Sequence, residues 1–216
     1  MSVSRRALIA ALSLAAMLGM TPLPPGGNAL AQNVSAELMA KPTALPEIGL
    51  GSAKAPVTIV EYASLSCPHC AAFAENVFPM LRSRYIDTGK VRFVFREFPL
   101  DIKAAAASML ARCIGKDDPE KYFVALHLLF QQQEQLMAET KATLILVGKQ
   151  AGMTEQDVEA CAKDQPLLDK ISADQRFAFD ELKVDATPTF FVNGERLKGA
   201  MSFEELDQKL KSLLKK

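Results

Sequence analysis

The sequence predicts an α/β fold in which two β-rich segments flank a long helical stretch. Three observations carry this. Residues 57–60 are β-branched and lead, through a C-x-x-C pair, into an apolar Ala-rich segment with helical spacing. Residues 91–98 alternate apolar and polar side chains for much of their length, which marks a second strand. Residues 102–182 then read as helices with short breaks, before a β pattern returns at 184–198.

The bulk properties set bounds. A chain of 216 residues with 49% hydrophobic content fits one domain, or one elaborated domain, with a sizeable core. Lys and Arg total 25 and Asp and Glu total 25, for a net charge of +0. Nucleic-acid binding usually needs a basic excess, so none is expected.

Residues 1–31 read as a secretory signal. Arg5 and Arg6 form a basic start, an apolar run follows, and Ala29-Leu30-Ala31 is an A-x-A cleavage signal. The apolar run is too short for a comfortable membrane span. Uncleaved anchoring and twin-arginine export through Ser4-Arg5-Arg6 are the alternatives; ordinary secretion is favoured. The destination is an oxidising compartment, the periplasm in a Gram-negative cell. Residues 32–54 form a tether with room for one short edge strand.

Next comes the first strand, ending near Glu61, and then Cys67-Pro68-His69-Cys70 at the start of a helix. Unpaired N–H groups and a partial positive charge at a helix N-terminus favour a thiolate. Cys67 is therefore the expected reactive sulfur. Pro68 suits the first turn, where its missing N–H costs nothing. His69 adds a second donor or positive charge near the sulfur. Cys70, one turn on, is expected to be more buried and within disulfide reach. A structural zinc site needs four ligands, and Cys113, Cys161, His69 and His127 offer no second close pair. A c-type haem motif would need His after Cys70, where Ala71 stands. A purely structural disulfide remains open; a redox dithiol fits better. No metal and no prosthetic group are expected.

Pro79 should kink a helix that otherwise continues to Tyr85. The strand–helix–strand order implies two parallel strands with a right-handed crossover. Helices are expected over 102–114, 119–133, 142–150, 154–163 and 166–182. Pro119 and Pro166 stand in first turns, Gly115 and Gly152 at stops, and Thr154 at a cap. His127 reads as a packing or partly exposed residue of the second of these. Met80, Met109, Met137, Met153 and Met201 read as core filler, with one or two open to a peptide groove. In an exported protein Cys113 and Cys161 are expected to form a structural disulfide; two free thiols or a second redox pair are the alternatives. Asn193-Gly194 signals a tight hairpin, with 195–198 as the return strand. Ser202 caps a final helix to about residue 214, with Glu204 and Glu205 in its first turn. Thr187-Pro188 is either a fixed cis-proline turn or an ordinary strand start; the residues alone do not separate the two.

Strand, Cys67-Pro68-His69-Cys70 and helix together resemble the active site of thioredoxin-like thiol–disulfide oxidoreductases. The Pro68-His69 pair resembles the DsbA branch in particular, and the likeness extends over about residues 46–216. It implies a thioredoxin-like fold: a mixed central sheet flanked by helices, built from 55–101 and 183–216, with 102–182 as an inserted all-helical domain. It implies that Glu61 is the acid beneath the dithiol, passing a proton to or from Cys70. It implies that Thr187 and Pro188 form the cis-proline loop that faces the dithiol and pairs with an extended substrate. Such proteins occur with and without a second cysteine pair. The tether is too short for the helical stalk of trimeric relatives, which favours a monomer. The function expected from the likeness is a periplasmic oxidase that donates the Cys67–Cys70 disulfide to reduced, unfolded exported proteins. A DsbB-like membrane partner would reoxidise it. The alternatives are a reductase or isomerase kept reduced by a membrane reductant, and a non-catalytic chaperone or peptide-binding module.

Overall fold

A computed structural model describes residues 36–39, 41, 43–116 and 118–215. The expected export signal and the first part of the tether lie outside them. Five strands form one mixed sheet: β1 (Ile48–Leu50), β2 (Val57–Ala63), β3 (Val91–Glu97), β4 (Thr189–Val192) and β5 (Glu195–Lys198), in the order β1-β3-β2-β4-β5. β2 and β3 are parallel, as the strand–helix–strand order requires; the other pairings are antiparallel. The edge strand expected in the tether is β1. The β pattern after 184 yields a strand only from Thr189. Pro188 has no N–H for a ladder, though its carbonyl still accepts from Gly199 N at 3.0 Å. Asn193 and Gly194 both take positive φ, 48° and 85°, as the tight hairpin demands.

β2 is the central strand, and both sheet faces are covered. Ile59 and Ala63 face a large core made with α2 (Pro68–Asn76), α4 (Ile102–Gly115), α5 (Pro119–Gln131) and α10 (Phe203–Leu214). Val60 and Tyr62 face a smaller one with Phe191 and, from α9 (Gln165–Asp180) and the loop after it, Ala178, Leu182 and Val184. A strand alternates sides with period two, so Glu61 shares the larger core's side with Ile59 and Ala63. The helices thus cover both faces of the sheet, and Glu61 is buried on the side of the larger core.

The kink expected at Pro79 interrupts the helix at Val77, whose backbone stays helical. α2 stops at Asn76, a single turn α3 (Phe78–Leu81) follows, and a π-helical turn (Arg82–Ile86) completes the segment. Pro79 lacks the N–H that would bond to the carbonyl of Glu75, and its ring clashes there. The predicted 119–133 helix likewise ends at Gln131 and restarts as α6 (Gln133–Ala138). α7 (Thr140–Gln150) and α8 (Glu155–Ala162) follow. Side-chain caps start α4 (Asp101), α5 (Asp118), α8 (Thr154), α9 (Asp164) and α10 (Ser202). Met109 is core, while Met80 is 36% exposed and is not the core filler expected of it.

Cys113 on α4 and Cys161 on α8 are joined by a disulfide, S–S 2.02 Å, across 48 residues of sequence. Next to Cys113, Arg112 makes two bonds to the buried Glu97 carboxylate, 2.6 and 2.7 Å, and a third to the Pro46 carbonyl, 2.8 Å. Tyr122 donates its hydroxyl to the same carboxylate at 2.5 Å. A buried charge pair of this kind is tolerable only when its other hydrogen-bonding positions are filled, as they are here. The cluster pins the end of β3 to α4, α5 and the N-terminal lead. No helix among the described residues is long and apolar enough to cross a membrane.

Candidate active site

The loop between β2 and α2 carries the dithiol. Cys67 has extended backbone angles, φ −87° and ψ 118°, and occupies the N-cap of α2, with Pro68 in the first turn. Its thiol makes no side-chain cap bond to the helix. Cys67 is 5% exposed and Cys70 fully buried, and both are free thiols. The loop is held from three sides. Cys67 N bonds to Ser64 O at 3.1 Å. The Ser64 hydroxyl accepts from Leu100 N at 3.1 Å. From α6, the Gln133 amide donates to Leu65 O at 2.9 Å and to Cys67 O at 3.1 Å.

Across the loop, the Thr187–Pro188 peptide bond is cis. The Cys67 thiol donates to the Thr187 carbonyl at 3.3 Å. The tertiary arrangement therefore puts Thr187 and Pro188 against the reactive sulfur, the point the residues alone left open.

The pKa values of the two sulfurs are shifted in opposite directions. A hydrogen bond from the Cys70 thiol is the largest influence on Cys67; with the Thr187 side chain and the backbone N–H groups of Cys70 and His69, it outweighs burial and lowers the Cys67 pKa to about 5. Cys70 moves the other way: burial first, then the neighbouring Cys67 and Glu61, hold its thiol far above the ordinary range. His69 was expected to contribute a donor or a positive charge. It contributes its backbone N–H, while its side chain is exposed.

Glu61 lies beneath the pair, 3% exposed, beside Phe95 on β3 and Phe190 on β4. Burial, and then the Cys67 charge, push its carboxyl well above the usual range. Its Oε1 has no hydrogen-bond partner among the described residues. A buried acid of this kind keeps its proton to higher pH than a solvated one. Among the described residues no group of three or more His, Cys, Asp and Glu is placed to hold a metal ion.

The comparisons with known proteins agree with this geometry. The family model described as thioredoxin matches residues 43–212. The crystal structure of alpha-DsbA1 from Wolbachia pipientis superposes with a TM-score of 0.71 at 31% identity, over 78% of this chain and 92% of that one. The chain belongs to the DsbA-like branch of the thioredoxin-like superfamily. A probable disulfide bond formation protein D from Bacillus cereus is 33% identical over 155 residues, 67% of this chain and 69% of its own length. A putative protein-disulfide oxidoreductase from Rickettsia bellii is 34% identical over 147 residues. The chain spans only 56% of that relative's length.

Two residues of this DsbA-like site carry no signal in the sequence. Gln133 lies far from the dithiol along the chain, and only the break between α5 and α6 turns its amide onto the loop. His127 is exposed, as its helix suggested, but it also lines a small cavity against Glu61. Neither position follows from periodicity, because both depend on how α5 and α6 cross the sheet.

Proposed function

We propose that the protein is a periplasmic thiol:disulfide oxidoreductase working as a disulfide donor. The asymmetry of the two sulfurs carries this reading. A Cys67 thiolate stabilised at about pH 5 favours the reduced pair, so the Cys67–Cys70 disulfide is a strong oxidant. A client thiolate attacks Cys67, and the Cys67–Cys70 bond breaks as Cys70 leaves. A second client thiolate then attacks the client sulfur of the mixed disulfide and displaces the Cys67 thiolate. The client gains a disulfide and the pair is left reduced. Clients are reduced, unfolded exported chains, received as extended segments along the Thr187-Pro188 loop. A DsbB-like membrane partner restores the disulfide by passing the electrons onward to quinone. The protein acts as a monomer, and the signal at 1–31 delivers it.

The deciding experiment is the equilibrium reduction potential of the Cys67–Cys70 pair in glutathione buffers. A value well above the glutathione couple is expected. A value at or below it would overturn the donor reading in favour of a reductase or isomerase.

A further inference from the structure

Every thiol exchange at Cys70 moves a proton, yet Cys70 is fully buried and Glu61 nearly so. On the strand level Glu61 is flanked by Phe95 and Phe190. The ionisable groups facing it are Cys67 and Cys70 above, and Tyr122 on α5, whose hydroxyl is already committed to Glu97. Cys67 reaches the surface at 5% exposure, while Cys70 and Tyr122 are closed off. A cavity of about 30 Å³ opens towards solvent on another side. Its lining includes Phe73 and Phe78 on one side and Phe123 and Phe130 on the other. Glu61 and His127 are its only polar side chains, and His127 is exposed to solvent. One water needs roughly 10–15 Å³ of such space and at least two polar partners. The unpartnered Oε1 of Glu61 supplies one, and His127 is the other polar residue of the lining.

We propose that this cavity is the proton passage of the dithiol, with one or two water molecules linking Glu61 to His127 at its mouth. When a client thiolate attacks Cys67, Cys70 leaves with the electron pair of the broken S–S bond. Glu61 gives its proton to the Cys70 sulfur and becomes a carboxylate. The cavity water then returns a proton to Glu61 and takes one from His127, which recharges from bulk water. In reoxidation the same proton runs outward. His127 touches neither client nor sulfur; it is a relay residue. The inference rests on Cys67 and Cys70 being the exchanging pair.

The test is stopped-flow reaction of the oxidised protein with a dithiol peptide, followed from pH 5 to 9, for wild type, His127→Ala and Ala74→Val. Ala74 also lines the cavity, so the added methyl groups displace the water. General acid–base relays are typically worth 10²–10⁴-fold, and one that water can partly bypass is worth less; both variants should slow the step in which Cys70 leaves by roughly tenfold. Added imidazole should restore His127→Ala but not Ala74→Val. The equilibrium reduction potential should stay unchanged in both, since a relay alters rates and not end states. Should His127→Ala fail to fold by circular dichroism, Ala74→Val carries the test. Unchanged rates and pH profile, or a loss in His127→Ala that imidazole leaves in place, would overturn the passage. Cys67→Ser separates the underlying reading: if it still exchanges disulfides, the dithiol assignment itself is wrong.

Discussion

At the scale of single residues, the site works by setting neighbours against each other. The Cys70 thiol is the largest cause of the low Cys67 pKa, ahead of the backbone donors of the helix start. Cys70→Ala should therefore move the Cys67 thiolate midpoint, followed by absorbance near 240 nm, upward from about 5 towards the ordinary thiol value. Glu61 behaves oppositely to a surface carboxylate. Its folded-state pKa is raised, so its contribution to stability is fully present below the unfolded value, about 4.3, and is lost as pH rises through the folded value. Glu61→Gln removes that loss. The variant should unfold less readily than wild type at neutral pH, because it carries no ionisation penalty in the folded state, with the two converging in mild acid. The same variant should slow proton transfer to Cys70, so stability and rate move in opposite directions. Denaturant titrations at pH 4 and pH 7 check the first claim; a rate and pH profile identical to wild type would remove Glu61 from the mechanism.

At the scale of elements, α6 reaches back to the dithiol loop. Gln133→Ala leaves two loop carbonyls without their side-chain donor and should cost about 1–2 kcal/mol by urea denaturation. It should also slow alkylation of Cys67 by iodoacetamide, because the loop no longer presents the sulfur in one geometry. Much of the element layout was legible because its causes are local: β-branched runs for β2 and β3, Asn193-Gly194 for the hairpin, and Thr154 and Ser202 for their caps. The failures have a physical reason too. The split at Gln132 leaves the apolar period of α5 intact and so gives no warning. Gln133 and His127 matter only through the crossing of helices over the sheet, which no local pattern encodes.

At the scale of the whole molecule, the Cys113–Cys161 bridge ties α4 to α8 across the segment that supplies both His127 and Gln133. By the chain-entropy argument, closing 48 residues stabilises the fold by about 4 kcal/mol before any strain. The double variant Cys113→Ser, Cys161→Ser should melt roughly 10 °C lower, read by calorimetry, while the Cys67 thiolate midpoint stays in place. The borders of the sheet have a different consequence. β1 has three residues, and the Glu47 carboxylate beside it is engaged by Arg92 and Arg96. β5 ends the other side with Glu195, Arg196 and Lys198, and Lys198 is paired with Asp185. A short border and a charged one are poor templates for a foreign strand. A protein proposed to work among unfolded chains would otherwise risk recruiting them along its whole flank and precipitating with its own clients. On the proposed function, these borders leave the loop beside Cys67 as the place for strand-like contact with a client.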